Sequence, residues 1–181
     1  RRFPGGYTGI LKPRKPDQDT AAEKSSTTRS GKSKRPGVQG PRGGGSVPAR
    51  NRQVVSFAIQ RLGKQVGDGE CWTLAAEALK AAGAQPPRGY VFGQELPLEE
   101  ARPGDILQFS TARFETPRQY KLLGTPRHTA IVYSVAGKKT FILHQNFGSR
   151  KVTTLDLDFA NMVSGAVKVY RPQARGPAGE R

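Results

Sequence analysis

Apolar residues recur at regular spacing only after about residue 50, and that spacing changes once along the chain. Between residues 54 and 62 they return every three or four positions, which is typical of an amphipathic helix, and Gly63 follows as a terminator. A second run with helical spacing covers 71–82. Gly83 ends it, and Pro86-Pro87 prevents the helix from resuming. The pattern predicts two helices at the start of one folded domain.

Past residue 100 the spacing becomes that of β-strands, in short runs rich in β-branched and aromatic residues. Five runs are predicted as strands: 105–110, 129–135, 140–145, 151–155 and 166–170. Gly137-Lys138 separates the second run from the third, so we expect those two strands to form an antiparallel hairpin. Helices followed by strands indicate an α+β fold, with N-terminal helices packed on an antiparallel sheet of about five strands.

The first 50 residues differ in composition from the remainder of the chain. They carry 12 Lys and Arg against 3 acidic residues, and the text between is rich in Gly, Pro and Ser. Such a segment cannot bury enough apolar surface to offset its chain entropy. We interpret 1–50 as a disordered basic linker or tail, 51–173 as the folded domain and 174–181 as a disordered C-terminal tail.

The charge of the tail leaves two alternatives open. It is either a solvated spacer or an arm that binds nucleic acid or another anionic polymer. The absence of aromatic residues between Tyr7 and residue 50 argues against specific single-strand recognition. No apolar run approaches the length of a membrane-spanning helix, and we expect a monomer.

Cys71 is the only cysteine of the chain, and it is predicted to open the second helix. Unpaired N–H groups and the dipole at a helix N-terminus stabilise a thiolate, which would make this residue a nucleophile. Asp68 and Glu70 oppose that effect, because nearby carboxylates favour the neutral thiol. The alternative is an inert cysteine on the apolar side of a helix.

The only two histidines favour the reactive alternative. His128 begins one predicted strand and His144 lies near the end of the next, so the hairpin would place them nearly opposite each other. Imidazoles on one face of neighbouring strands lie within hydrogen-bonding distance. Cys71, His128 and His144 then match a nucleophile, a base and an orienting group. Gln65 is a candidate for holding an oxyanion through its side-chain NH₂, with an ordinary loop glutamine as the alternative.

Metal binding is the rival hypothesis for one cysteine and two histidines. Structural zinc prefers four closely spaced ligands, and the motifs of catalytic zinc are absent from this sequence. No phosphate-binding loop or dinucleotide fingerprint occurs in the folded part. We therefore expect neither a metal nor a cofactor.

At these residues the sequence resembles the papain-like superfamily that contains the NlpC-type and CHAP-type cysteine hydrolases. Four phrases carry the resemblance: Gly69-Glu-Cys-Trp-Thr-Leu-Ala, Arg102-Pro-Gly-Asp-Ile-Leu-Gln-Phe, His128-Thr-Ala-Ile-Val and His144-Gln-Asn. The resemblance implies that Cys71 is the nucleophile, that His128 is the base and that His144 orients it, with Asn146 as a further helper. Gln65 is similar in spacing to the glutamine that precedes the cysteine in papain.

A closer resemblance is to the cysteine-proteinase-fold domain at the C-terminus of some fungal actin-patch proteins and to its bacterial relatives. It covers about residues 52–172 and rests on the Gly-Asp-Gly-Glu-Cys-Trp phrase, the Leu-His-Gln-Asn phrase and the closing Val-Lys-Val-Tyr-Arg-Pro. Glu70, directly before Cys71, departs from the pattern of the active hydrolases.

These resemblances imply two hypotheses of different classes. The first is a thiol-dependent hydrolase that cleaves amide bonds in a peptide or in peptidoglycan stem peptides, secreted or held in the cell envelope if the source is bacterial. The second is a catalytically silent papain-like binding module on a flexible basic arm, cytoplasmic if the source is eukaryotic. A tail that binds an anionic polymer is compatible with either.

Overall fold

Two helices and six strands make up the described part of the chain, which is residues 46–176 of a computed structural model. Helices α1 (Ala49–Ile59) and α2 (Cys71–Ala81) come first. The strands are β1 (Gln94–Leu96), β2 (Ile106–Thr116), β3 (Gln119–Ala136), β4 (Lys139–His144), β5 (Thr153–Asp158) and β6 (Met162–Arg171). Short 3₁₀ helices, Leu98–Glu100 and Phe159–Asn161, precede β2 and β6. No described helix is both long and apolar enough to cross a membrane.

The ends of the predicted domain are only partly covered. The predicted basic tail up to residue 45, and residues 177–181 of the predicted C-terminal tail, lie outside the described residues. At the C-terminal end, Ala174 bridges to Ala84, so paired backbone reaches past the predicted boundary at 173. The division into domain and tails otherwise stays a prediction.

All six strands form one antiparallel sheet in the order β1-β6-β2-β3-β4-β5. The predicted α+β fold with helices before an antiparallel sheet is therefore confirmed. The sixth strand, β1, was not predicted because it is only three residues long. Strands β2 and β3 extend well beyond the predicted runs, since Thr116 pairs with Gln119 at the end of a long hairpin.

The sheet separates two hydrophobic cores. On one face the two helices pack against the sheet, and this core includes Val54, Ala58, Leu74, Leu79, Ile106, Ile131 and Leu143. The second core includes Leu107, Phe109, Phe114, Leu123, Ile142, Leu157 and Phe159. Ile106 and Leu107 are consecutive and enter different cores, because successive side chains of a strand point to opposite faces.

A bend in the sheet encloses the second core. The β2 register is interrupted between Ser110 and Ala112, and Gly165 of β6 adopts a φ of +83° beside it. Such irregularities bend strands and increase their twist. The bent hairpin reaches across to β5, where Lys121 Nζ donates to the Asp156 carbonyl over 3.1 Å.

A buried carboxylate ties α1 to the sheet. Asn51 of α1 donates to Asp105 Oδ1 over 2.7 Å, and Arg171 at the end of β6 donates to both Asp105 oxygens, over 3.1 and 2.8 Å. The backbone N–H of Arg102 supplies a further hydrogen bond. A Cβ at Gly104 would lie 2.2 Å from the Asn51 carbonyl oxygen, so only glycine allows this close approach. Loss of one partner of a buried charge pair costs about 3–5 kcal/mol.

The close packing of the bend predicts that Gly165 cannot be replaced without loss of stability. A Cβ there would lie 2.2 Å from the Thr111 carbonyl oxygen, whereas at Gly148, with a similar φ of +80°, it would meet nothing within 4 Å. We expect Gly148→Ala to lower the free energy of unfolding by about 1–2 kcal/mol through backbone strain alone. Gly165→Ala should lower it by about 1–3 kcal/mol more, because the backbone at Thr111 must also shift. Urea unfolding measures the free energy of unfolding of both variants. Equal losses in the two variants would contradict the close approach of Gly165 to Thr111.

Candidate functional site

A cleft of about 510 Å³ lies between the start of α2 and the bent part of β3. Half-buried Cys71, the first residue of α2, lines it together with His128 of β3. Asn146 and Phe147, which follow β4, contribute a further part of the lining. The part of β3 that lies opposite the interrupted β2 register forms one wall, with Leu122, Gly124, Thr125 and Arg127.

The loop before Cys71 is held in place by Gln145, which is completely buried. Its side-chain oxygen accepts the Val66 N–H over 3.1 Å, and its NH₂ donates to the carbonyls of Val66 and Glu70 over 2.9 and 2.7 Å. All three bonds join the Cys71 loop to the end of β4. Gln145 had no predicted role, and the signal that the sequence carries for it is an amide side chain directly after a buried strand.

The two histidines form a buried pair. His128 Nε2 lies 3.0 Å from His144 Nδ1, and the rings are nearly perpendicular, at 82°. His144 Nε2 lies 3.4 Å from Thr153 Oγ1, directly across on β5. Because one ring donates and the other accepts, two arrangements of the protons fit this chain of contacts. In one of them His128 Nδ1 carries no proton and can act as a base.

A β-bulge places the two imidazoles on one face, which corrects the predicted register. The turn pairs Ala136 with Lys139, and a shift between Val132 and Ser134 then pairs Ile131 with Leu143. His144 continues this register opposite Ala130, two positions from His128 rather than directly across from it. An even offset keeps both rings on the same face, whereas without the bulge the offset would be odd.

Burial holds both rings in the neutral form. The pKa of His128 is lowered from 6.5 to about 4, first by desolvation and then by the charge of His144. The pKa of His144 is lowered to about 4 by desolvation. The hydrogen bonds of the pair involve the other imidazole and a threonine hydroxyl, with no carboxylate to stabilise a positive charge. An imidazolium is therefore disfavoured at neutral pH.

Asn146 is brought to the cleft, where its side chain binds Glu70. Its Nδ2 donates to Glu70 Oε2 over 2.6 Å rather than to an imidazole. The other Glu70 oxygen lies 3.6 Å from Arg150 Nη2, and Arg150 Nη1 donates to the Asp68 carbonyl over 3.0 Å. These contacts join the segment after β4 to the loop before Cys71.

Gln65 is not brought to the site. Its side chain is exposed and donates to the carbonyl of Gly67 over 3.0 Å, two residues further along the same loop, and it does not line the cleft. Within residues 46–176, no hydrogen bond joins Cys71 to His128 or His144. The structure thus places Cys71, His128 and Asn146 along one cleft, with His144 behind His128.

Three aromatic or basic residues of the cleft had no predicted role. Phe147 packs on both imidazoles, with ring centroids 5.8 and 5.6 Å from those of His128 and His144. Tyr90 and Arg127 stack on each other, with the guanidinium carbon 4.3 Å from the ring centroid. Tyr90 and Phe147 lie in loops, and Arg127 is an exposed residue of β3 beside the interrupted β2–β3 register, so sequence periodicity carries no signal for these roles. Among the described residues, no group of three or more His, Cys, Asp and Glu is arranged to hold a metal ion.

Comparison with known proteins identifies relatives. A family model described as the AIM3/BBC1 cysteine proteinase-fold domain matches residues 51–180. Altered inheritance of mitochondria protein 3 of Debaryomyces hansenii is 31% identical over 150 residues, which are 70% of this chain and 16% of the relative. An SH3 domain-containing protein of Schizosaccharomyces pombe is 29% identical over 142 residues, which are 67% of this chain and 9% of the relative. This chain therefore spans only a small part of either relative.

Two solved structures are similar in backbone. The crystal structure of Ly7917 matches with 18% identity and a TM-score of 0.45, over 66% of this chain and 62% of its own. The crystal structure of Ly7917 with the hydrolyzing product of MDP matches with 16% identity and a TM-score of 0.47, over 67% and 62%.

The histidine pair predicts a specific pH dependence of stability. The unfolded chain takes up protons as the pH falls through 6.5, whereas the folded pair stays neutral down to about 4. Between these values the unfolded state binds more protons than the folded state. The contribution of the pair to the free energy of unfolding is therefore complete above pH 6.5 and is lost as the pH falls toward 4. His144→Gln keeps a hydrogen-bonding group facing His128 and removes one of the two titrating rings.

We expect this variant to lose less free energy of unfolding than the parent between about pH 7.5 and about pH 4.5, by about 1–3 kcal/mol. Urea unfolding at the two pH values measures the difference, and the carboxylates common to both proteins cancel. An identical loss in parent and variant would show that burial does not suppress protonation of the pair.

Proposed function

The chain belongs to the AIM3/BBC1 cysteine proteinase-fold domain family, and we propose that this domain is a peptide-binding module that keeps a papain-like cleft without turnover. Both curated relatives are much longer proteins, and one is named for an SH3 domain. A domain that forms a small part of such chains is suited to recognising a protein partner. The bound partner segment would lie in the cleft beside Cys71.

The arrangement of Cys71 and the buried histidine pair is the observation that carries this proposal. A thiolate nucleophile of this type is stabilised by an imidazolium, and burial of His128 and His144 disfavours that charge. Cys71 makes no hydrogen bond to either ring within the described chain. The layout therefore suits binding better than nucleophilic attack.

The cleft offers a peptide both space and apolar surface. Its volume of about 510 Å³ falls within the range of ligand sites. The β2–β3 register has no pair for residues 124–126, between Leu123 and Arg127, and Gly124 and Thr125 line the cleft. Trp72 and Leu122 supply apolar surface in the same lining.

A cysteine hydrolase remains the second candidate, because one observation favours it. Cys71 and His128 line the same cleft, and the bond from His128 Nε2 to His144 leaves Nδ1 without a partner among residues 46–176. In this alternative, Nδ1 takes the thiol proton as the sulfur attacks an amide carbonyl. Its substrate would be a protein segment, since both curated relatives are fungal proteins and peptidoglycan is a bacterial polymer.

The test uses two residues that occur once in the chain. Trp72 is the only tryptophan and Cys71 the only cysteine, so fluorescence reports on the cleft and a maleimide modifies it alone. We expect a pool of N-acetylated octapeptide amides to change the Trp72 emission of the parent. Reaction of Cys71 with a bulky maleimide should abolish that change, because the adduct occupies the peptide site.

Cys71→Ser is the matched control for this experiment. It should bind the same pool as well as the parent does and should be insensitive to maleimide. The parent, Cys71→Ser and His128→Ala should all leave the peptides intact when product amines are assayed. Binding that survives modification of Cys71 would exclude the cleft as the peptide site. Hydrolysis by the parent that is lost in Cys71→Ser would assign the domain to the hydrolase alternative.

A further inference from the structure

Arg127 and Tyr90 form a second functional feature of the cleft, separate from Cys71 and the histidines. Arg127 directly precedes His128 in β3. Arg127 and Tyr90 are both exposed, and both line the cleft. The guanidinium carbon of Arg127 lies 4.3 Å from the centroid of the Tyr90 ring, which is a cation–π geometry. The stacked ring holds the planar guanidinium in a defined orientation at the cleft surface.

The charges that line the cleft leave Arg127 without an acidic partner. The other two charged residues of the lining are Asp68 and Glu70. Glu70 is engaged by Asn146 and Arg150, and Asp68 Oδ1 accepts the backbone N–H of Glu70 over 3.0 Å. Within residues 46–176, the guanidinium of Arg127 takes part in no hydrogen bond and no salt bridge. Its donors face solvent and are available to a bound ligand.

The turn that carries Tyr90 is fixed to the rest of the site. Arg88 and Val91 exchange two backbone hydrogen bonds, of 2.9 and 3.1 Å, around Gly89 and Tyr90. Trp72 Nε1 donates to the Gly89 carbonyl over 2.7 Å, which anchors this turn to α2 next to Cys71. The aromatic platform is therefore positioned before a ligand arrives, and little side-chain entropy remains to be lost on binding.

We propose that Arg127, held by Tyr90, is a carboxylate-binding subsite that makes the cleft selective for acidic peptides; this rests on the proposed peptide-binding function. A planar guanidinium binds a carboxylate through two parallel hydrogen bonds, which a lysine or an amide cannot reproduce. The carboxylate is supplied either by an aspartate or glutamate side chain or by the C-terminus of the bound peptide. Both sources present the same chemical group.

The experiment compares octapeptide pools that differ in one group, with Trp72 fluorescence as the readout. Two pools of N-acetylated amides carry either Glu or Gln at one position and are otherwise identical, and a third pool carries Gln and a free C-terminal carboxylate. We expect the parent to bind the Glu pool, the free-carboxylate pool or both about tenfold more tightly than the Gln amide pool. The preference should decrease at high salt, because an exposed ion pair is screened.

The matched variants are Arg127→Gln and Arg118→Gln. Arg118 is exposed at the turn of the β2–β3 hairpin and does not line the cleft, so its loss changes the net charge equally. Arg127→Gln should bind all pools as weakly as the parent binds the Gln amide pool, whereas Arg118→Gln should keep the parent's preference. Tyr90→Leu should reduce the preference, because the guanidinium loses its platform.

The outcomes separate this inference from the proposed function. If the parent binds all three pools equally, or if Arg127→Gln keeps the preference, the carboxylate subsite is overturned while peptide binding stands. If the parent binds none of the pools, peptide binding fails and the subsite with it. A preference confined to the free-carboxylate pool supports the subsite and assigns it to the end of a bound chain.

Discussion

The buried carboxylate of Asp105 is the interaction on which the arrangement of the domain depends. Its partners, Asn51 and Arg171, come from the first helix and the last strand, so one side chain joins both ends of the fold to the start of β2. Helix α2, which presents Cys71, packs against α1 and β3, and the anchor therefore also determines where the cleft wall lies. The Pro-Gly-Asp phrase that resembles the cysteine hydrolases thus has a structural role. Gly104 allows the approach of α1, and Asp105 secures it.

Two local features then determine the geometry of the cleft. Gln145 ties the loop before Cys71 to the end of β4, and the bulge in β3 turns His128 and His144 toward each other. The same burial that fixes the geometry of the pair also disfavours uptake of an additional proton by either ring at neutral pH. The result is a cleft in which Cys71 lies beside a buried histidine pair, and the proposed binding function rests on this combination. Arg127 is the charge that lines this cleft without an acidic partner within the described chain.

Much of the fold follows from local patterns, and the resemblance to the fungal cysteine-proteinase-fold domain is confirmed by the family match. Helix α2 begins at Cys71 as predicted, because Gly residues and apolar spacing mark its ends locally. The contact between His128 and His144 was expected, but its register was not, because an inserted residue in a strand leaves periodicity almost unchanged. The roles of Gln145 and Gln65 depend on which backbone groups remain unpaired after folding, and composition and spacing do not encode that information.

The protonation state of the two imidazoles tests the account most directly. The chain has only two histidines, so nitrogen NMR of a ring-labelled sample reports on this pair alone. Two neutral rings at neutral pH, joined by one shared hydrogen bond and protonated only toward pH 4, are the result that the structure predicts. A ring that is doubly protonated at neutral pH, and that loses the extra proton in Cys71→Ser, would reveal a thiolate–imidazolium pair. That result would contradict the binding-module account and establish an activated nucleophile in its place.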